Sequence, residues 1–414
     1  MINYFYDCYQ ILNKVYSEKT FVKQAINSTL IEEKNRLATI KTVYGVLDKD
    51  IELSYYLSKL VEKSPKLAIR TILKISMYCI KYLGKKEYAV VSNAVELTKK
   101  LGKAGASGFV NAFLRKFIKT KVEFPKEKTE FLSVKYSYPY FAVKKLVDCY
   151  GFERTENIIS SHTTENTLFF PSIDGEKYLT DLGVTFRKTP FENTFLVSNF
   201  VRNEDYDRGL YTFQALGSTA ICSVVEPCEN LLDCCSAPGG KSIRLSYKCA
   251  NVTAWDIHPH RVNLIEEYKT RMAVKNVTTS VKDSKVFDKK YEKYFDTVLC
   301  DAPCSGLGIV NDNPDVKLNR TEEDVKGLME EQYAILSNVS KYVKMGGYLV
   351  YSTCSILPCE NYGVIDKFLS ANSNFEICSI NSELAHEDVN GTNVFLPDIS
   401  SGAGFYVAKM KRIK

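Results

Sequence analysis

What this sequence lacks narrows its chemistry before any motif is read. No Cys-x-x-Cys pair occurs, and the four histidines, His162, His258, His260 and His386, stand at no spacing that completes a zinc set with cysteines, so no metal site is expected. No apolar run approaches the length that crosses a bilayer, and the opening MINYFYDCYQ has neither the basic start nor the apolar core of a signal peptide. The 13 cysteines are an odd number scattered along such a chain, which disfavours disulfides and suggests a reducing, cytoplasmic setting. The dinucleotide fingerprint G-x-G-x-x-G is missing. The stretch CSAPGGKS ends like a phosphate-binding loop, but the first glycine of G-x-x-x-x-G-K-[ST] would have to stand at Cys235, so no triphosphate cradle is encoded.

At 414 residues the chain exceeds one comfortable core, and two or three domains are expected. Its net charge of +6 is unevenly spread: residues 1–125 carry 22 Lys+Arg against 11 Asp+Glu, or +11, leaving 33 against 38, or −5, for residues 126–414. A positive field on the N-terminal part suits a polyanion such as RNA, and equally a lysine-rich solvated helical surface.

The organisation follows from periodicity. Residues 1 to about 122 read as helices, with apolar residues at helical spacing in Tyr4, Ile11, Leu12 and Val15 and again in Leu37, Ile40, Val43, Tyr44 and Leu47. The last of these helices, GFVNAFLRKFIKTK, turns Arg115, Lys116, Lys119 and Lys121 outward. Phe124 to Thr129 reads as a linker, and residues 166–200 alternate as a small α+β unit. From residue 210 the rhythm is strand, loop, helix, repeated, which argues for a doubly wound sheet; the last segment, GFYVAKMKR, reads as an antiparallel edge strand. The expected division is an all-α domain over 1–125, a bridging α+β unit over 126–205 and a Rossmann-like domain over 206–414.

Candidate chemistry collects at the carboxyl ends of the strands, where open α/β sheets bind ligands. The strand ending at Asp233 feeds the glycine pair Gly239–Gly240, which allows close backbone approach. Asp256, 23 residues after Asp233, is placed to accept hydrogen bonds from two ribose hydroxyls, and Asp283, at the end of the third strand, to meet an adenine amino group. A site that holds adenosine without a triphosphate cradle suits S-adenosylmethionine. Its candidate contacts are Cys235, Ser236, Ala237, Pro238, Gly239, Gly240 and Lys241, together with Asp256, Arg261, Asp283 and Asp301.

Two further strands end in cysteines: FDTVLCDAPCSGLG delivers Asp301 and Cys304, and GGYLVYSTCS delivers Cys354. Carbon 5 of a pyrimidine is too poor a nucleophile to accept a methyl group until a thiolate adds to carbon 6, and that thiolate must later be eliminated. One cysteine to attack and one to assist release fit this sequence of events. Asp301 could hold the cytosine amino group and ring nitrogen 3, and Lys241 could orient the base or lower a thiol pKa. Cys234, Cys235, Cys300 and Cys359 read as small buried hydrophobes, and His258 and His260 as solvent-facing.

DCCSAPGGKS, LCDAPCSGLGIV with NPDVK, and YSTCSILPCEN together resemble the RsmB (Sun, Fmu) family of RNA 5-methylcytosine methyltransferases, and the all-α module ending in VNAFLRKF resembles the NusB-like domain that begins its rRNA-modifying members. The resemblance spans essentially the whole chain. It implies that Cys354 is the nucleophile and Cys304 promotes product release, a split that spacing alone does not give. It also implies 16S rRNA or its precursor as substrate, S-adenosylmethionine as cosubstrate, no metal, no DNA, no membrane and a monomeric chain. Three stretches depart from the family pattern: Phe169, Phe170 and Pro171 replace an Arg-Val-Asn segment, Asn311 and Asp312 replace a basic pair, and Ala215 replaces an aspartate while Gln214 is kept. These changes remove RNA contacts rather than chemistry. Competing readings are a cytosine-5 methyltransferase of tRNA or another RNA, and methylation of an exocyclic amine, whose Asn/Asp-Pro-Pro-Tyr/Phe loop is absent. From another class, a catalytically impaired RNA-binding or antitermination factor would retain the same folds.

Overall fold

The structure, a computed structural model, describes residues 2–163, 165–402 and 404–414. Two compact units emerge, one from residues 1–159 with 310–321 and the other from 160–309 with 322–414. No helix among the described residues is long and apolar enough to cross a membrane.

The first unit is helical. Helices Ile2–Glu18, Arg36–Asp48, Leu67–Lys81, Glu87–Lys100 and Ser107–Lys119 each carry an apolar stripe, and these stripes meet in one core that includes Phe5, Leu12, Val43, Leu47, Ile72, Leu97 and Leu114. Leu37, although in step with that spacing, is 85% exposed in the first turn of its helix. Arg115, Lys116, Lys119 and Lys121 face solvent as the pattern predicts. The stretch expected to be a linker, Phe124 to Thr129, is irregular as far as Glu127, whose side chain accepts hydrogen bonds from the Thr129 and Glu130 amides and caps helix Lys128–Lys135. Residues 310–321 seat on this unit. Asp315 accepts from the Val22 amide at 3.1 Å, and the nearly buried Lys317 ammonium lies 2.7 Å from Asp48. The NPDVK segment is thereby part of the helical unit's packing.

The second unit holds two sheets. Strands β1 (Glu165–Phe169), β2 (Phe186–Lys188), β3 (Thr194–Ser198) and β4 (Thr212–Phe213) form an antiparallel sheet in the order β2-β3-β1-β4. With helix Gly175–Asp181 they enclose Leu168, Phe170, Leu179, Phe195, Val197 and Tyr211. The larger sheet contains β5 (Asn230–Asp233), β6 (Asn251–Asp256), β7 (Val277–Val281), β8 (Phe295–Asp301) and β9 (Val343–Thr353), all mutually parallel in the order β9-β8-β5-β6-β7. An antiparallel extension follows in β10 (Phe375–Cys378), β11 (Glu387–Val389), β12 (Thr392–Phe395) and β13 (Phe405–Arg412). Two expectations need correction. The chain-end strand β13 is not an edge, because it pairs with β9, β12 and β10; its six consecutive buried residues reflect cover on both faces. Asp283 does not end the third strand, since β7 stops at Val281 and Asp283 lies two residues beyond, accepting from the Lys285 amide.

The sheet order reverses at β5, whose neighbours are β6 on one side and β8 on the other, so the crevice of the switch point opens above the ends of these strands. Nearby, Ala215 occupies the N-cap of helix Leu216–Val224 with extended backbone and no side-chain cap. Ala215→Asp is expected to supply the missing acceptor and stabilise the protein by about 1 kcal/mol, measured as a rise in denaturation midpoint.

Candidate active site

Parallel pairing delivers the predicted residues to one sheet edge. After β5, the turn Cys235–Gly240 leads into helix Gly240–Leu245; Gly239 has φ 103°, a left-handed conformation that disfavours any other residue. A Cβ at Gly240 would meet nothing nearer than 3.8 Å, so the backbone there is open to close approach. Gln214 ties the turn down by donating to the Gly240 carbonyl at 3.0 Å. Asp233 is fully buried, with one oxygen accepting from Ser242 at 2.6 Å and the other without a partner; burial pushes its carboxyl up to about 6 against the opposing Ser242 bond.

At the end of β6, Asp256 is 3% exposed. One of its oxygens accepts from the His258 amide at 3.0 Å and the other pairs with Arg261 at 3.2 Å. Arg261 also donates to the Ala237 carbonyl at 2.8 Å, joining the acid at the end of β6 to the turn after β5. His258 and His260 face solvent. Cys234 and Cys300 are buried as expected, whereas Cys235, in the turn after β5, and Cys359, in the short 3-10 helix Pro358–Glu360, are only partly so.

Asp301 ends β8. One oxygen accepts from Ser352 on β9 at 2.7 Å and the other from the Lys241 ammonium at 2.6 Å. Lys241 sits in the first turn of its helix, where a cation opposes the helix dipole, and Asp301 supplies the compensating charge. Burial alone would depress this ammonium, but the Asp301 carboxylate outweighs it and raises its pKa.

The two cysteines meet. The Sγ atoms of Cys304 and Cys354 are 3.2 Å apart. The hydrogen bond with Cys354, reinforced by burial, pushes the Cys304 thiol well above its ordinary range and favours its neutral form.

What the sequence reading missed is the network beneath this pair. Glu360 is fully buried, and each cysteine is followed by a serine that reaches it. Ser305 gives its amide at 2.7 Å and its hydroxyl at 2.5 Å, Ser355 its hydroxyl at 2.5 Å, and Gln332 its side-chain amide at 3.1 Å. The two loops also touch through backbone, with the Gly308 amide on the Cys354 carbonyl at 2.9 Å and the Gly404 amide on the Gly308 carbonyl at 2.7 Å. A Cβ at Gly308 would lie 2.1 Å from the Gly404 oxygen and 2.8 Å from that of Cys354, both backbone atoms that cannot swing aside. Gly308→Ala is therefore expected to cost at least about 2 kcal/mol, read as a lowered denaturant midpoint. The signal available in the sequence was the repeat of Cys-Ser at both strand ends with a lone acid six residues after the second cysteine.

The family model described as 16S rRNA methyltransferase RsmB/F matches residues 222–411, and the NusB family model matches residues 7–119. The probable ribosomal RNA small subunit methyltransferase B of Bacillus subtilis (strain 168) is 30% identical over 97% of this chain and 95% of its own length. Ribosomal RNA small subunit methyltransferase B of Escherichia coli (strain K12) is 26% identical over 92% of this chain and 91% of its own. Among solved structures, PH0851 shares the fold with a TM-score of 0.84 at 19% identity, covering 100% of this chain and 99% of that one.

Proposed function

Because the chain belongs to the RsmB/F family of 16S rRNA methyltransferases, we propose that it methylates carbon 5 of a cytosine in 16S rRNA through a covalent adduct between Cys354 and the ring. The observation that carries this reading is the contact of two cysteine sulfurs at the carboxyl ends of adjacent strands β8 and β9, an arrangement that exocyclic-amine methylation does not need.

S-adenosylmethionine, when bound, supplies the methyl group. The residues present fit it: an open glycine turn at Gly239–Gly240, a buried carboxylate at Asp256 with acceptor capacity beyond its two present partners, and Asp283 just past β7. Arg261 fixes the spacing of turn and carboxylate.

On the substrate side, Asp301 is held by Ser352 and Lys241 in an orientation suited to receive the amino group of cytosine. Cys354 adds to carbon 6 as the thiolate, with the neutral Cys304 thiol 3.2 Å from its sulfur. Carbon 5, now part of an enamine, takes the methyl group. Loss of the carbon 5 proton and cleavage of the bond between the Cys354 sulfur and carbon 6 then restore the aromatic ring, and Cys304 supports this release. The target base must be unstacked to enter such a pocket. RNA binding is assigned to the basic module of residues 1–125, bridging to 126–205 and catalysis to 206–414, in a monomeric cytoplasmic protein.

The test uses 16S rRNA carrying 5-fluorocytidine. Fluorine at carbon 5 cannot leave as a proton does, so the wild type with S-adenosylmethionine is expected to form a denaturation-resistant protein–RNA complex linked at Cys354. Turnover with no covalent complex would contradict the adduct.

A further inference from the structure

Phe169, Phe170 and Pro171, which the proposed reaction does not use, form one wall of a cavity of about 650 Å³. The Arg244 guanidinium lies 3.9 Å from the centre of the Phe169 ring, and Tyr247 meets the same ring edge-on at 6.0 Å. Arg244 is held by neutral groups only, donating to Thr194 Oγ1 at 2.9 Å and Gln214 Oε1 at 3.3 Å. Lys248, one turn further along the chain, gives its ammonium to the Cys222 carbonyl at 2.5 Å. Among the described residues neither cation forms an ion pair with a carboxylate, and burial lowers the pKa of both. The cavity's two acids, Glu192 and Glu383, are exposed and pair with neither.

Two partly desolvated cations facing one cavity without a counter-charge are costly unless an anion visits. Beside them Tyr247, 41% exposed, offers a ring, and the guanidinium a flat cationic plane. A cation pair with an aromatic platform is the combination that grips a nucleotide of single-stranded RNA, phosphate on the cations and base on the ring.

We propose that the cavity lined by Phe169, Phe191, Arg244, Tyr247 and Lys248 is an RNA-binding subsite that holds one unpaired nucleotide of the substrate, separate from the cysteine pair. It rests on the RNA methyltransferase reading above.

The experiment measures affinity of the full-length protein for an unmodified 16S rRNA transcript at several salt concentrations, for the wild type, Lys248→Gln and Tyr247→Ala, with S-adenosylmethionine affinity measured alongside. Tyr247 is exposed and Lys248 half-buried, and Arg244→Lys serves as a third variant that keeps charge but loses the planar stack. Lys248→Gln is expected to weaken RNA binding by about tenfold at low salt and to reduce the salt slope by about one. Tyr247→Ala is expected to weaken it with the slope unchanged, and neither to alter S-adenosylmethionine affinity. Inorganic phosphate titrated alone distinguishes sources: displacement of RNA only at far higher concentration supports a nucleotide site, whereas tight phosphate binding lost in Lys248→Gln, with RNA affinity unchanged, would overturn it in favour of a free-anion site. Wild-type methylation with unaltered RNA affinity and slope in all three variants would refute the subsite while leaving the methyltransferase reading intact. A wild type that neither binds nor methylates the RNA would count against both.

Discussion

Cys354→Ala is expected to reduce methyl transfer by at least about a thousandfold, because without a thiolate at carbon 6 the ring never becomes nucleophilic at carbon 5. Cys304→Ala is expected to behave differently. It leaves the attacking sulfur in place but removes the neighbouring thiol 3.2 Å away. The adduct then forms and fails to resolve, and a covalent protein–RNA species accumulates that survives denaturing electrophoresis. The double variant shows neither turnover nor adduct. Full transfer by Cys354→Ala together with its abolition in Cys304→Ala would reverse the two roles, and transfer by the double variant would point to an exocyclic amine as the acceptor.

The second large effect is expected at Glu360, which touches neither cysteine's sulfur yet binds the residue after each. Glu360→Ala removes a buried acceptor shared by the Ser305 amide, the Ser305 and Ser355 hydroxyls and the Gln332 amide, of which Gln332 keeps the Pro303 carbonyl at 2.9 Å and the hydroxyls keep each other at 3.2 Å. A buried donor left unsatisfied costs about 1–3 kcal/mol, so with partial rearrangement a loss of about 3 kcal/mol or more in unfolding free energy is expected, measured by denaturant titration. Glu360→Gln retains volume and one acceptor oxygen. It is expected to stay folded with S-adenosylmethionine affinity unchanged while the rate of methyl transfer falls at least about tenfold, since a misplacement of well under an ångström between the reacting groups is enough. Unchanged turnover in a folded Glu360→Gln protein would reduce the residue to a structural anchor.

How far the sequence carried these conclusions depended on whether the signal was local. Cys304 and Cys354 were legible because each follows an apolar run and precedes a loop, and parallel strands necessarily bring such ends to one edge. Asp256 was legible for the same reason. Glu360 was not, because an acid in a polar loop gives no sign of burial until the two cysteine loops close over it. The bridging of Arg261 from Asp256 to the Ala237 carbonyl depends on helix Pro259–Arg271 folding back over the turn, which spacing does not reveal. Asp283 lies beyond its strand because pairing with β6 stops at Val281, and the polar Lys282 and Asp283 that follow it carry no sequence signal for where pairing ends. The edge assignment of the last strand failed because chain-end position is a poor guide to sheet position when β10, β11 and β12 add beyond it. Least legible was the seat of residues 310–321: Lys317 looks like a surface lysine until Asp48, far away in sequence, is seen 2.7 Å from its ammonium.

The central claim, carbon 5 of a cytosine in 16S rRNA, is tested most directly by incubating the purified protein with labelled S-adenosylmethionine and unmodified 16S rRNA and mapping the product at nucleotide resolution. The account predicts label in 5-methylcytosine at one position, absent with Cys354→Ala. Label on the exocyclic nitrogen of cytosine, or on carbon 5 with undiminished yield in Cys354→Ala, would contradict it.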